Sequence, residues 1–372
     1  MKQLTTELTE TERYHACMDY QPVDYAPFWA WGAWEETKDC WKKEGYDKDN
    51  NNPEEIACPR HMIHNWFFPY PEFEYKVIEE DDTHVIYVNH EGILMKELKV
   101  HRTSSMPQFL KFPVNNRKEL RKFWDERMET DLFVRVGHDW QEQLKDARAK
   151  NIPLIIISDR WGGFFGPLRN LVGVEQLCML FYDDPLLVEE MMDRTVDFII
   201  HILGQILTVV EIDAFAMWED MAYNHAPLIS PDMVRNYMLP RYRKVVEFAR
   251  SKGVKYVGLD SDGQIDSLIP LWMDAGLNFL YPFECQCGMD VVDVRRKYGR
   301  ELRIWGGLNK RALAAGKDTI EEELARVRPL IEEGGYIPHL DHSCPPDIPF
   351  ANYQYFLKRL AEACGKNSGP FP

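Results

Sequence analysis

The residues of this sequence that could do chemistry recur just behind short β-branched and aromatic runs. In chain order they are Trp29, Trp31 and Trp34; Asp159, Arg160 and Trp161; Trp218, Glu219 and Asp220; Asp260 and Asp262; Glu284, Cys285 and Cys287; Trp305 and Asn309; and His339, Asp341, His342 and Cys344. An ordinary surface loop would hold glycine, serine and lysine in those places. Carboxylates, imidazoles and thiols brought to one point can hold a divalent metal or exchange protons with a substrate. Tryptophans add flat, weakly polar walls, although they also serve as plugs in a barrel mouth. The densest stretch is His339 to Asp347, where His342 is preferred to His339. Asp260 is preferred to Asp262, because Asp260-Ser261-Asp262-Gly263 also reads as a turn whose carboxylate caps the next helix. Glu219-Asp220 has a structural reading as ion-pair partner of Arg160. Cys285-Gln286-Cys287 lacks the second cysteine pair of a structural zinc site.

Those residues meet only if the elements before them are parallel strands. From Pro153 onward one unit repeats: an apolar run, a polar loop, an amphipathic helix. The runs are Pro153 to Ser158, Ile212 to Trp218, Val254 to Asp260, Leu277 to Glu284, Leu302 to Gly307 and Gly335 to Asp341, with Tyr25 to Trp31 as a seventh. The expected architecture is α/β, a (β/α)8 TIM barrel in a single domain, 1–372, with the strand-end residues converging on one face. The region from about 48 to 113 is expected to be an insertion that hides the eighth strand. Within it, residues 72–100 alternate apolar and polar around Asp81-Asp82 and Glu91-Gly92, which predicts an antiparallel hairpin. Helix starts are expected at Ser230-Pro231-Asp232 and Asp318-Thr319.

The totals narrow the partners. With 44 basic against 60 acidic side chains in 372 residues, the formal charge of −16 disfavours nucleic acid and anionic membrane surfaces. Arg241, Arg243 and Lys244, near Glu247, read as a solvated helix face. Phe198 to Val210 is interrupted by His201, Gly204 and Gln205, so it reads as a buried helix and not a membrane span. The amino-terminal stretch shows no leader pattern, and the eight scattered cysteines suggest free thiols, so a soluble, cytoplasmic protein is expected.

The chain resembles the uroporphyrinogen decarboxylase superfamily, which includes corrinoid-dependent methyltransferases built as (β/α)8 barrels. Thr11-Glu12-Arg13 through Gln21-Pro22-Val23-Asp24-Tyr25-Ala26-Pro27 looks like that superfamily's opening helix and first strand. Gly258-Leu259-Asp260-Ser261-Asp262-Gly263 falls where it has a strand ending in a ligand-bearing loop. Gly306-Gly307-Leu308-Asn309-Lys310 is similar to its Gly-Asn-Leu-Asp-Pro motif. Asp341-His342-Ser343-Cys344-Pro345-Pro346-Asp347 with Asn352 is similar to its Gly-His-Gly loop and following Pro-x-Glu-Asn, Ala351 replacing the glutamate. A true uroporphyrinogen decarboxylase has an arginine-rich segment after the first strand; here Trp31-Gly32-Ala33-Trp34-Glu35-Glu36 stands there and cannot clamp carboxylates.

The resemblance implies the methyltransferase branch: a methyl group moved from a small O-methylated, plausibly methoxylated aromatic compound to a cobalamin-carrying partner protein. Where that branch places a His-x-Cys pair and a distant Cys as zinc ligands, this sequence has Asp260 and Asp262, and then His342. The implied site is oxygen-rich zinc held by Asp260, His342 and Glu284 or Cys344. Asp260, His342 and Glu219 are the expected catalytic residues; Trp31, Asp159, Arg160, Trp161, Trp218, Asn309 and His339 are expected to bind substrate. No Asp-x-His-x-x-Gly signature is evident, so the corrinoid is expected on the partner. A homodimer is compatible with the apolar insertion. Three alternatives stand beside this reading: a decarboxylase of a small or tetrapyrrole-like acid, with Arg160 holding one carboxylate; a glycoside hydrolase using Glu219 and Glu284, which requires both to face one cavity; and a non-catalytic binding module.

Overall fold

The computed structural model describes residues 7–100 and 106–367. Its main sheet holds seven parallel strands in the order β1 (His61–Ile63), β6 (Leu154–Ile157), β7 (Ala214–Trp218), β8 (Tyr256–Asp260), β9 (Phe279–Tyr281), β10 (Arg303–Trp305) and β11 (Tyr336–Ile337). β2 (Lys76–Glu80), β3 (His84–Val88), β4 (Leu94–Leu98) and β5 (Gln108–Lys111) form a separate antiparallel sheet. β6 and β7 are buried along their whole length, as expected of strands covered on both faces.

The six runs from Pro153 onward each contain one of these parallel strands, and the 48–113 region does hide another, β1. The closed eight-stranded barrel, however, is not formed: the sheet is a curled, open half-barrel. The expected strand at Tyr25 to Trp31 is irregular. Its backbone bonds are spent singly on different neighbours: Ala26 N–H donates to Cys364 O, Trp29 N–H to Pro338 O, and Phe28 O accepts from Cys58 N–H. Pro27 has no N–H to contribute, so a regular ladder cannot run through this segment.

The hairpin turns fall where the alternation placed them. β3 and β4 bury Val85, Tyr87 and Met95, which with Ile93 make a small second core, while edge strands β2 and β5 are exposed. Ser230 caps its helix by accepting from Met233 N–H. The Asp318-Thr319 start is corrected: that helix begins at Lys317 behind Gly316, and the Thr319 hydroxyl donates to Ala312 O and Gly316 O. Phe198 to Val209 belongs to a helix, Pro185–Val209, that buries one face and exposes the other, and no helix among the described residues is long and apolar enough to cross a membrane. The basic cluster is not simply solvated, since Arg241 is buried in a two-point ion pair with Asp193. All eight cysteines are free.

An aromatic column fills the lower half-barrel. Trp305 stacks on Phe279 with centroids 4.0 Å apart and meets Trp29 edge-on at 4.7 Å. Gly258 is required beside it, because a Cβ there would lie 2.5 Å from the Phe279 ring. Trp29 and Trp305, both buried, are therefore plugs, and the chemistry must lie above them.

Candidate functional site

Trp218, Asp260 and Tyr281 are register partners at the carboxyl ends of β7, β8 and β9, so their side chains stand side by side. The chain then turns sharply. Asn65, Asp159, Asp220 and Phe283, each the second residue after β1, β6, β7 and β9, all have positive φ, as do Gly306 and Gly307 behind β10. A left-handed non-glycine residue costs on the order of 1–3 kcal/mol and persists only where packing enforces it. Here it turns the following side chains back over the sheet.

Two overlapping donor groups result. Asp262, Glu284 and His342 place one donor atom each within 4.8 Å of one another, and so do Asp220, Asp260 and Asp262. His342 Nε2 lies 3.8 Å from Asp262 Oδ2. Backbone donors hold the carboxylates: Gly263 N–H donates to Glu284 Oε2 at 3.0 Å and Asp262 N–H to Asp220 Oδ1 at 3.1 Å. Gly263 has φ +87°, and a Cβ there would lie 2.6 Å from the Ala222 backbone, which fixes the spacing between the loops.

The electrostatics follow from crowding. Burial, followed by the neighbouring carboxylates, pushes Asp260 and Asp262 well above the usual carboxylate range. Burial, followed by the Lys310 ammonium, lowers His342. Lys310 is itself buried, opening the short helix that follows β10. Without a bound cation these carboxyls hold their protons to higher pH than an ordinary carboxyl does. A divalent ion held by Asp262, Glu284 and His342 would favour the ionised form of Asp262 and bind the neutral imidazole through a lone pair.

Of the expected ligands, Asp260, Glu284 and His342 belong to these groups; Cys344 belongs to neither. Cys344 is wholly buried, its backbone paired with Gly32 and Trp34 and its thiol driven well above its ordinary pKa by burial. The Cys285 and Cys287 thiols are also pushed up, chiefly by burial, and so stay protonated. Asp341 lies beneath the site as a latch, accepting from Lys310 N–H and Cys285 N–H.

The other expected residues separate. Glu219 is wholly buried and turned away from the cluster, accepting from the N–H groups of Phe164, Phe165 and Gly166 and from the Tyr242 hydroxyl. Burial raises its pKa to about 7, while those four donors hold it from rising further. Its two oxygens are thus taken up by four donors, and it belongs to neither donor group, whereas Glu284 belongs to one. Trp161 is buried against Phe123, and Asn309 caps the helix that starts at Lys310. Arg160 does not pair with Asp220, as the sequence suggested; it is exposed, 3.6 Å from Glu91 of the β3–β4 turn, and Arg169 takes Asp220. Asp159 faces His64 at 3.9 Å. Trp218 is nearly buried, with the Arg169 guanidinium 4.9 Å from its ring centre.

Trp31 and His339 are brought together as a parallel stack, centroids 4.2 Å apart and 6° from coplanar, with Trp29 on the far face of the imidazole at 6.1 Å. His339 Nδ1–H donates to Leu340 O, and burial lowers its pKa to about 3, so the ring is a neutral aromatic wall. Trp31 meets Tyr281 edge-on at 5.9 Å. Asp220 and Asp262 were strand-end candidates in the sequence but were not among the residues expected to be catalytic, substrate-binding or metal-binding, and Lys310 was not a candidate. The signal for the first two was their position behind β7 and β8; Lys310 left none, since a lysine opening a helix is ordinary.

A family model described as Uroporphyrinogen decarboxylase (URO-D) matches residues 100–363. The fold is similar to that of a methyltransferase from Methanosarcina mazei, with a TM-score of 0.62 and 17% identity over 96% of this chain and 99% of that one. A B12-independent methionine synthase from Shewanella sp. W3-18-1, in complex with selenomethionine, aligns at a TM-score of 0.43 and 10% identity over 78% of this chain and 73% of that one. No curated protein matches the sequence.

Proposed function

Because the chain belongs to the uroporphyrinogen decarboxylase (URO-D) family, we propose that it is a methyltransferase taking a methyl group from a small O-methylated aromatic compound and passing it to a corrinoid carried by a separate protein. The observation that carries this reading is the oxygen-rich donor set at the strand ends, Asp262, Glu284 and His342, with Asp260 beside it. Two carboxylates and one imidazole fit zinc or another borderline divalent ion, and the missing thiolates make the fit one for a Lewis acid facing oxygen. When bound, such an ion would polarise an ether oxygen and favour its departure as an oxyanion. His342 would serve as a neutral ligand through Nε2, the ring atom 3.8 Å from Asp262 Oδ2. Asp260, whose anion burial and like charges disfavour, would hold a proton on its carboxyl and deliver it to the departing oxygen. Trp31, backed by His339, would form the wall against which the aromatic ring lies.

The arginine that the decarboxylase alternative needed is exposed and lies 3.6 Å from Glu91. The test is methyl transfer itself. Purified protein with added zinc, a reduced free corrinoid and a set of methoxylated aromatics should convert the reduced corrinoid to its methylated spectrum. Asp260→Asn should slow that conversion roughly a hundredfold, the range of a lost general acid. Release of carbon dioxide with no methylated corrinoid would overturn the proposal.

A further inference from the structure

Lys310 is only 7% exposed, yet among the described residues its ammonium donates no hydrogen bond and forms no ion pair. Its place is fixed by its backbone. The Lys310 N–H donates to Asp341 Oδ1 at 3.0 Å and the Cys285 N–H to Asp341 Oδ2 at 2.9 Å, so one carboxylate ties together the segments behind β9, β10 and β11. Glu284 and His342, the chain neighbours of Cys285 and Asp341, belong to the donor group that Asp262 completes. Burial raises Asp262 and Asp341 and lowers His342, and the Lys310 charge acts on all three, opposing the first two shifts and adding to the third. The ammonium therefore stands beside the donor group without being spent on any member of it.

The local chain gives no reason for a cation here. Lys310 opens the helix Lys310–Ala315, and the first turn of a helix favours negative side chains. Burying an ammonium is costly unless acceptors use its three N–H donors. A permanently anionic ligand would meet the surrounding carboxyl groups as well as Lys310, whereas a neutral ether acquires its charge only as its bond breaks. We infer that Lys310 donates to the oxygen that the methyl group leaves, stabilising it as it becomes an oxyanion, and is thereby a catalytic residue alongside Asp260. This rests on the methyltransferase reading for the identity of that oxygen, but the contact with an anionic oxygen is tested by binding alone. In the step, the methyl–oxygen bond breaks with its electron pair left on oxygen, and the methyl group passes to the reduced corrinoid, whose own electron pair forms the new bond. Lys310 keeps its protons; the one that neutralises the oxygen comes from Asp260. A fixed ammonium needs no reorganisation as the charge develops, so it lowers the barrier more than it tightens substrate binding.

para-Nitrophenol, whose anion is coloured, stands in for the departing aryl oxide. Bound to the zinc-supplied wild type, it should ionise about one pH unit or more below the pH at which it ionises in Lys310→Met, as an opposite charge close to an oxyanion requires. Lys310→Arg should keep most of that difference, and an unchanged melting temperature in Lys310→Arg keeps the comparison valid if Lys310→Met folds poorly. The same difference is read on the metal-free proteins, so a variant that binds zinc weakly still tests the contact. In methyl transfer, Lys310→Met should lower kcat roughly a hundredfold with KM little changed, and most for the least acidic leaving oxygen. Equal ionisation in wild type and Lys310→Met, no binding of para-nitrophenol, or an unaffected kcat would overturn the inference. A Lys310-dependent ionisation without methyl transfer would leave the oxyanion contact standing and remove the methyltransferase reading. Methyl transfer with equal ionisation would do the reverse.

Discussion

Asp260, Asp262 and His342 share one protonation problem. Each carboxyl sits in a field of others and is held above its ordinary pKa by burial, so binding a divalent ion must displace protons. The direction follows: as pH falls, protons compete and metal affinity falls; as pH rises through the raised carboxyl pKa values, affinity rises. Titration of zinc into the metal-free protein should show tighter binding and fewer protons released at higher pH, and pH-independent binding would contradict this. For folding of the metal-free protein the sign is opposite. The native state binds more protons than the unfolded chain above about pH 4, so these groups cost stability as pH rises from the ordinary carboxylate range to their raised values. Asp262→Asn should therefore raise the metal-free melting temperature by roughly 2 °C at neutral pH, while abolishing the gain that zinc gives the wild type. Glu219 differs in kind. Its carboxylate satisfies three buried N–H groups and a tyrosine hydroxyl. Glu219→Ala should lose on the order of 3 kcal/mol in denaturant unfolding, whereas an unchanged midpoint would show that the N–H groups find other partners. The sequence displayed Glu219 as one more strand-end carboxylate; only the three N–H groups aimed at it reveal the structural role.

At the scale of elements, the loops after the strands do the positioning. Left-handed backbone two residues behind β1, β6, β7 and β9 folds each loop inward, and Gly263 lets the β8 loop abut Ala222. Gly263→Ala should shift Asp262 and weaken zinc binding about tenfold or more while the far-ultraviolet spectrum stays native, because strain and clash fall on the loop and not on the sheet. Unaltered affinity would mean that the loop accommodates a Cβ. The parallel strands were legible because fully buried β-branched runs leave few other readings. The segment 25–31 was misleading for the same reason: Phe28 and Trp29 are as buried as any strand residue, but burial does not show where the N–H groups go. The hairpin's part in the site was hidden too, since the contact of Glu91 with Arg160 joins residues 69 positions apart in sequence.

The whole molecule is an open half-barrel, and its openness is what the sequence could not convey. The individual strands follow from the apolar runs, whereas closure depends on the backbone pairing of the first and last segments. The consequence is a site whose donors come from four separate strand loops, those behind β7, β8, β9 and β11. A site assembled over that span depends on the entire fold, and a bound ion would in turn brace it. The most direct test of the central claim is elemental analysis of protein purified without chelator and then supplied with zinc, comparing wild type with His342→Ala and Asp262→Ala. The account predicts close to one zinc per wild-type chain and almost none in either variant. A wild type that stays metal-free, or variants that keep the ion, would contradict it.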